Sequence, residues 1–139
     1  MSLSNVTENE VLDAILTGYT PSWYAGATLY LALVQDAGGA VSEATPLANE
    51  CTYTGYARVA LTKATAWTDG GSSFTNAALI QFGKRTDAGA TQTATAFVIV
   101  DTASGAATLG IIGTLSAELA INQNIQPQFA AGDLTVTAE

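Results

Sequence analysis

The side chains able to do chemistry in this sequence are few and scattered. They comprise twelve carboxylates, four cations and one cysteine, Cys51, with no histidine at all. Losing histidine removes the commonest general base and the commonest metal ligand. Neither a Ser-His-Asp nor a Cys-His mechanism can then be assembled within one chain. Two carboxylates can cleave a glycoside in principle, but none of the acids sits in a recognisable motif. Asp69-Gly70-Gly71 and Asp87-x-Gly89 match fragments of calcium loops without the further spaced oxygens, and read as turns. No glycine-rich loop follows a strand and opens a helix, so a nucleotide fingerprint is missing too. Cys51 reads as a small, partly buried residue without a disulfide partner. These residues predict a non-enzymatic protein with no cofactor and no metal.

Binding residues give a little more. Tyr19, Trp23 and Tyr24 cluster in the segment YTPSWYAG, where they can form a platform for sugars. Aromatics just before a strand more often plug the end of a β core with their polar tips wet. The formal net charge is −8, with Arg58, Lys63, Lys84 and Arg85 as the positive side chains. Nucleic acid is therefore excluded as an expected partner, since phosphate affinity needs clustered cations. Lys84-Arg85 beside Asp87 reads as a solvated loop. Charged residues make up 12% of the chain and hydrophobics 48%, a balance found in membrane proteins and in assemblies. No apolar run nears the roughly 20 residues a spanning helix needs, and the opening MSLSNVTENE is polar and acidic rather than a signal segment. The expectation is synthesis in a cytoplasm and no membrane.

The elements that position these residues read as mostly strands. The stretch Ala94–Leu115 predicts a hairpin at the centre of the core, closed by a tight turn at Asp101–Gly105. Phe97 and Ile99 should face one side, and Val98 and Val100 the other, so both faces need cover. Further strands are expected at Thr28–Gln35 (Leu29, Leu31 and Leu33 on one face), Tyr56–Thr62, Ala78–Gly83 and Asp133–Ala138. Trp67–Asn76 reads as a Gly/Ser turn region, and Asp36–Gly55 as the longest loop. One helix is expected over about residues 5–17, capped by Asn5 with Glu8 reaching back. Val11, Leu12, Ile15 and Leu16 form its apolar stripe. That stripe either packs on the sheet or closes one end of a sandwich, the simpler reading, or docks onto a neighbouring subunit. The fold class is all-β: one antiparallel β-sandwich or barrel-like domain over 1–139, with an N-terminal α-helix.

The order of short motifs carries a resemblance. Leu3-Ser4-Asn5 is followed by Glu8-Asn9-x-x-Leu12-Asp13, then Leu29-Tyr30-Leu31-Ala32-Leu33, Gly55-Tyr56-Ala57-Arg58-Val59 and Asn76-Ala77-Ala78-x-Ile80-x-Phe82. The second half continues with Asp101-x-x-Ser104-Gly105, Gly113-x-Leu115 and Ile125-x-Pro127-x-Phe129-x-Ala131-Gly132-x-Leu134-Thr135. Together they resemble a family of small tailed-bacteriophage virion proteins, often labelled tail-fibre-like. Gly83-Lys84 departs from it, standing where a proline is expected after the phenylalanine.

The resemblance implies a structural protein of a phage particle. No shaft-forming repeat is present, so the expected role is a capsid decoration (cement) protein bound to the major capsid protein or other virion proteins, and to itself as a trimer. A tail- or head-fibre knob or adaptor is the alternative, and a carbohydrate-binding module a further one. The expected contact residues are Val11, Leu12, Ile15 and Leu16 on the helix, Trp23 and Tyr24 after it, and Glu43 and Pro46 in the long loop.

Overall fold

The computed structural model describes residues 2–36 and 41–137. Its elements, in order, are β1 (Ser2–Leu3), α1 (Asn5–Thr17), α2 (Ser22–Ala25), β2 (Thr28–Val34), β3 (Val59–Thr62), β4 (Trp67–Asp69), β5 (Ser73–Asn76), β6 (Ile80–Gln81), β7 (Gln92–Val100), β8 (Gly110–Ile121), β9 (Gln128–Phe129) and β10 (Thr135–Thr137). The main sheet has the order β1-β8-β7-β2-β3, and a second layer is built from the sheets β10-β5-β4 and β6-β9. Every pairing is antiparallel. The fold is thus an antiparallel, sandwich-like β structure with an N-terminal helix, as the pattern predicts.

Alternation along β2 and β7 fixes which side chains meet. Leu31 and Leu33 of β2 and Phe97 and Ile99 of β7 fall on one face, with Tyr53, Ile80, Phe82, Phe129 and Leu134 packed over them. This is the sandwich interior. Val34, Val98, Val100 and Ile112 fall on the other face, beneath Val41, Leu47 and Ala107 of the connecting loops. Both faces of the central strands are covered, the reason their sequence is apolar at consecutive positions. Gly113 of β8 lies under Phe97, where an added Cβ would come within 2.2 Å of the ring. Between Ala94↔Leu119 and Ala96↔Thr114 the β7–β8 ladder contains a bulge, with extra residues on β8.

Several expectations need correction. The connection from β7 to β8 is a wider loop over 101–109, not a tight turn, because the Asp101 carboxylate organises it. That carboxylate accepts bonds from the amides of Thr108 (2.9 Å) and Leu109 (3.1 Å) and from the Thr108 hydroxyl (2.6 Å). Burial pushes the Asp101 carboxyl up, but these bonds outweigh it and hold it below the usual carboxylate value. Gly105 does adopt positive φ, at 73°. Trp67–Asn76 is not merely a turn: β4 and β5 pair across Gly70-Gly71. The strand expected at Tyr56–Thr62 begins only at Val59, that at Ala78–Gly83 narrows to β6, and the closing strand is β10; Ala138 lies outside the described residues, as do Gly38 and Gly39. Cys51 is wholly buried rather than partly.

The Lys84-Arg85 loop is the largest departure. Arg85 is 1% exposed. Its Nε and Nη2 donate to Asp87 Oδ2 at 3.1 and 2.6 Å, and its Nη1 donates to the Ile121 carbonyl at 2.7 Å. Asp87 also accepts from the amides of Thr54 and Gly89. The Arg85 guanidinium and these amides hold its carboxyl well below the usual range. A charge that local sequence assigns to solvent is the latch closing the Ile121 end of the sheet.

Candidate functional site on the outward face of the N-terminal helix

Helix α1 is seated on the sheet by small polar groups. Its N-cap is Ser4, one residue before the expected Asn5, and the Ser4 hydroxyl accepts the Thr7 amide at 3.3 Å. The Ser4 amide donates to the Gly110 carbonyl at 2.8 Å. Thr7 Oγ1 accepts the Gly110 amide at 2.8 Å and lies 2.8 Å from Ser4 Oγ. It also lies 3.3 Å from the Thr108 carbonyl. A side chain at Gly110 is excluded, since an added Cβ would lie 2.9 Å from Ser4. The first turn is therefore bolted to the start of β8. Farther along, Glu10 accepts the indole N–H of Trp23, and the Lys63 ammonium donates to the carbonyls of Trp23 and Tyr24, linking α1 to α2 and β3.

This seating turns the apolar stripe away from the sheet. At 100° per residue, Thr7, Glu10 and Ala14 share one face of the helix, and Leu12, Ile15 and Leu16 share the opposite one. Exposure follows the same division: Thr7 is buried, whereas Leu12 is 55%, Ile15 73% and Leu16 77% exposed. Val11 is half-buried at the border. Tyr19 and Tyr24 are also exposed, so they do not plug the core as the simpler reading expects. Trp23 is half-buried, its ring edge-on to Tyr24. The simpler expectation for the stripe, packing on the sheet, is likewise wrong. Exposed Leu12, Ile15 and Leu16 on one helical face form the kind of patch that marks an interaction surface.

The loop residues expected to join this site do so in part. The Asn5 amide donates to the carbonyl of Glu43, whose side chain is exposed beside the helix start. Pro46 is half-buried, within 3.3 Å of where a Gly110 Cβ would stand. It supports the seat rather than the outward face.

A second region, unmarked in the sequence, is a cleft of about 330 Å³ lined by Glu50, Cys51, Tyr53, Tyr56, Arg58 and Gly105, among others. All five Arg58 N–H groups are engaged: with both Glu50 oxygens (2.8 and 2.7 Å), the carbonyl and hydroxyl of Thr102 (2.9 and 3.0 Å) and the Gly105 carbonyl (2.8 Å). The Tyr56 hydroxyl donates to Glu50 (2.8 Å) and accepts the Leu33 amide (3.1 Å). Burial, then the neighbouring Glu50 charge, pushes the Cys51 thiol up to about 12. It stays protonated and is a poor nucleophile at neutral pH. The cleft is a structural clamp joining the 101–109 loop to β2 and β3. Among the described residues, no group of three or more His, Cys, Asp or Glu side chains is placed to hold a metal ion. No helix there is long and apolar enough to cross a membrane.

A search of curated proteins returned no match. A family model does match, over residues 2–137, and it describes the podophage GP4 fiber I protein gp80. That span takes in the helix, both layers of the sandwich and β10. The chain belongs to the family of the podophage GP4 fiber I protein gp80, a family of bacteriophage fibre proteins of the virion.

Proposed function

We propose that the protein is a non-enzymatic structural module of a phage fibre, held to its neighbours in the virion through the outward face of α1. The observation that carries this reading is the exposure of Leu12, Ile15 and Leu16 on a helix whose seating rests on Ser4 and Thr7. An amphipathic helix offering apolar side chains at one-turn spacing is a recurrent docking element. The clamp at Arg58 and the latch at Arg85 make a rigid body behind it, suited to bearing load rather than to turnover. Locating the chain in a density map of the whole particle tests the reading. Density on a fibre, with α1 at a subunit contact, is expected; a chain absent from purified particles by mass spectrometry defeats it.

A second reading is a decoration protein that cements capsid subunits as a trimer. It is favoured by the layered sandwich, in which the described residues include no elongated shaft. It predicts that purified protein binds capsids lacking it and raises their melting temperature. Labelling confined to fibres, with no effect on capsid melting, removes it.

A further inference from the structure

We infer that the face of α1 seats in an apolar groove rimmed by Lys or Arg on a different virion protein, rather than against a second copy of this chain. The occupant is inferred on the reading of the chain as a virion component. The argument is charge complementarity around an apolar centre. Glu8 lies on the same helical face as Leu12 and Ile15, and Asp13 flanks Leu16. Exposed Glu43 meets the helix start through its backbone carbonyl, and α1 carries no cation.

The rest of the molecule offers that acidic border little positive charge. Arg58 is engaged through all five N–H groups, and Arg85 is buried against Asp87. Lys63 is engaged by the carbonyls of Trp23 and Tyr24. Lys84 is exposed, but it adjoins Arg85 at the Ile121 end of β8, whereas α1 sits at the Gly110 end. The paired strand β7 runs between those ends over nine residues, about 26 Å at the usual rise. Two copies packed in parallel through their helices set Glu8 and Asp13 opposite the same carboxylates. Like charges set face to face disfavour that contact. A partner with a cationic rim covers the apolar residues and neutralises the border together.

The test uses full-length chain and particles assembled without it, with co-sedimentation as the readout. Leu12→Ser/Ile15→Ser/Leu16→Ser alters side chains that make little packing contact, and circular dichroism and melting check that it folds. It is expected to lower particle affinity at least about tenfold. Glu8→Gln/Asp13→Asn is expected to weaken binding severalfold and flatten its salt dependence. Wild-type binding should fall about tenfold between roughly 0.1 and 1 M sodium chloride, as screening shortens from about 10 to 3 Å. Unchanged binding by the triple-serine variant, or tighter wild-type binding at high salt, overturns the inference. So does analytical ultracentrifugation showing a wild-type oligomer that the triple-serine variant dissolves, because a second copy then covers the face. Chain missing from native particles defeats the virion reading itself. Chain present there, with binding indifferent to both variants, defeats only the helix groove.

Discussion

The two ends of the β7–β8 pair treat polarity in opposite ways. At the Ile121 end a charged side chain, Arg85, is buried and latched. At the Gly110 end leucines and an isoleucine stand in solvent on α1. Each inverts the usual partition, and the partners explain why. Arg85 has Asp87 and a backbone carbonyl to replace its water, which makes burial of a charge tolerable. Among the described residues nothing covers the α1 leucines, because Ser4 and Thr7 form the seat. One end is closed over a charge; the other leaves apolar side chains exposed.

Comparing like residues sharpens that contrast. Leu33 lies in the sandwich interior, so Leu33→Ala should cost about 2–5 kcal/mol by chemical denaturation. If it costs under about 1 kcal/mol, the interior is not the stabilising region. Arg85→Ala should cost about 1–3 kcal/mol, because it leaves the Ile121 carbonyl without its buried donor. A loss under about 1 kcal/mol in urea unfolding makes the latch ornamental.

Titration probes the closed parts from both sides. Burial raises Cys51 and Tyr53 to about 12, and raises Tyr56 as well. The unfolded chain therefore releases protons first as pH rises, so stability should decline from about pH 9 upward. Asp87 and Asp101 are lowered instead. Their contribution is present at neutral pH and is lost as pH falls below about 4, where the unfolded carboxylates take up protons. Melting temperatures across pH 2–11 check both limbs; a flat alkaline limb contradicts the buried Tyr56–Glu50 cluster. The smallest effect is expected at the open end. Leu16→Ala should change stability by no more than about 0.5 kcal/mol, and a loss near that of Leu33 means the helix face is covered within the chain.

The central strands and the helix were legible in the sequence, because period and turn chemistry are local, whereas β4 and β5 were hidden in what reads as a Gly/Ser turn region. The two-sided burial of Phe97–Val100 follows from consecutive apolar residues, and α1 occupies the expected span. The apolar residues of α1 were legible as a stripe but not as an exposed one, since periodicity states which side chains share a face and not what that face meets. Arg58 and Arg85 were illegible as buried side chains because, beside the nearby Glu50 and Asp87, each needs acceptors from distant positions: Thr102 and Gly105 for Arg58, Ile121 for Arg85. Glu50, the other half of the clamp, lies in what reads as a featureless loop.

By itself, then, the sequence determined an antiparallel β framework, a helix at its start and a chain without histidine chemistry. Ordered motifs such as Ile125-x-Pro127-x-Phe129 carried the likeness to phage virion proteins. Only the tertiary structure decided which face of α1 looks outward and which charges are inside. The physical reason is that both outcomes depend on contacts closed across the fold: Thr7 finds Gly110, and Arg85 finds Ile121. Local pattern cannot encode which distant backbone group will be waiting.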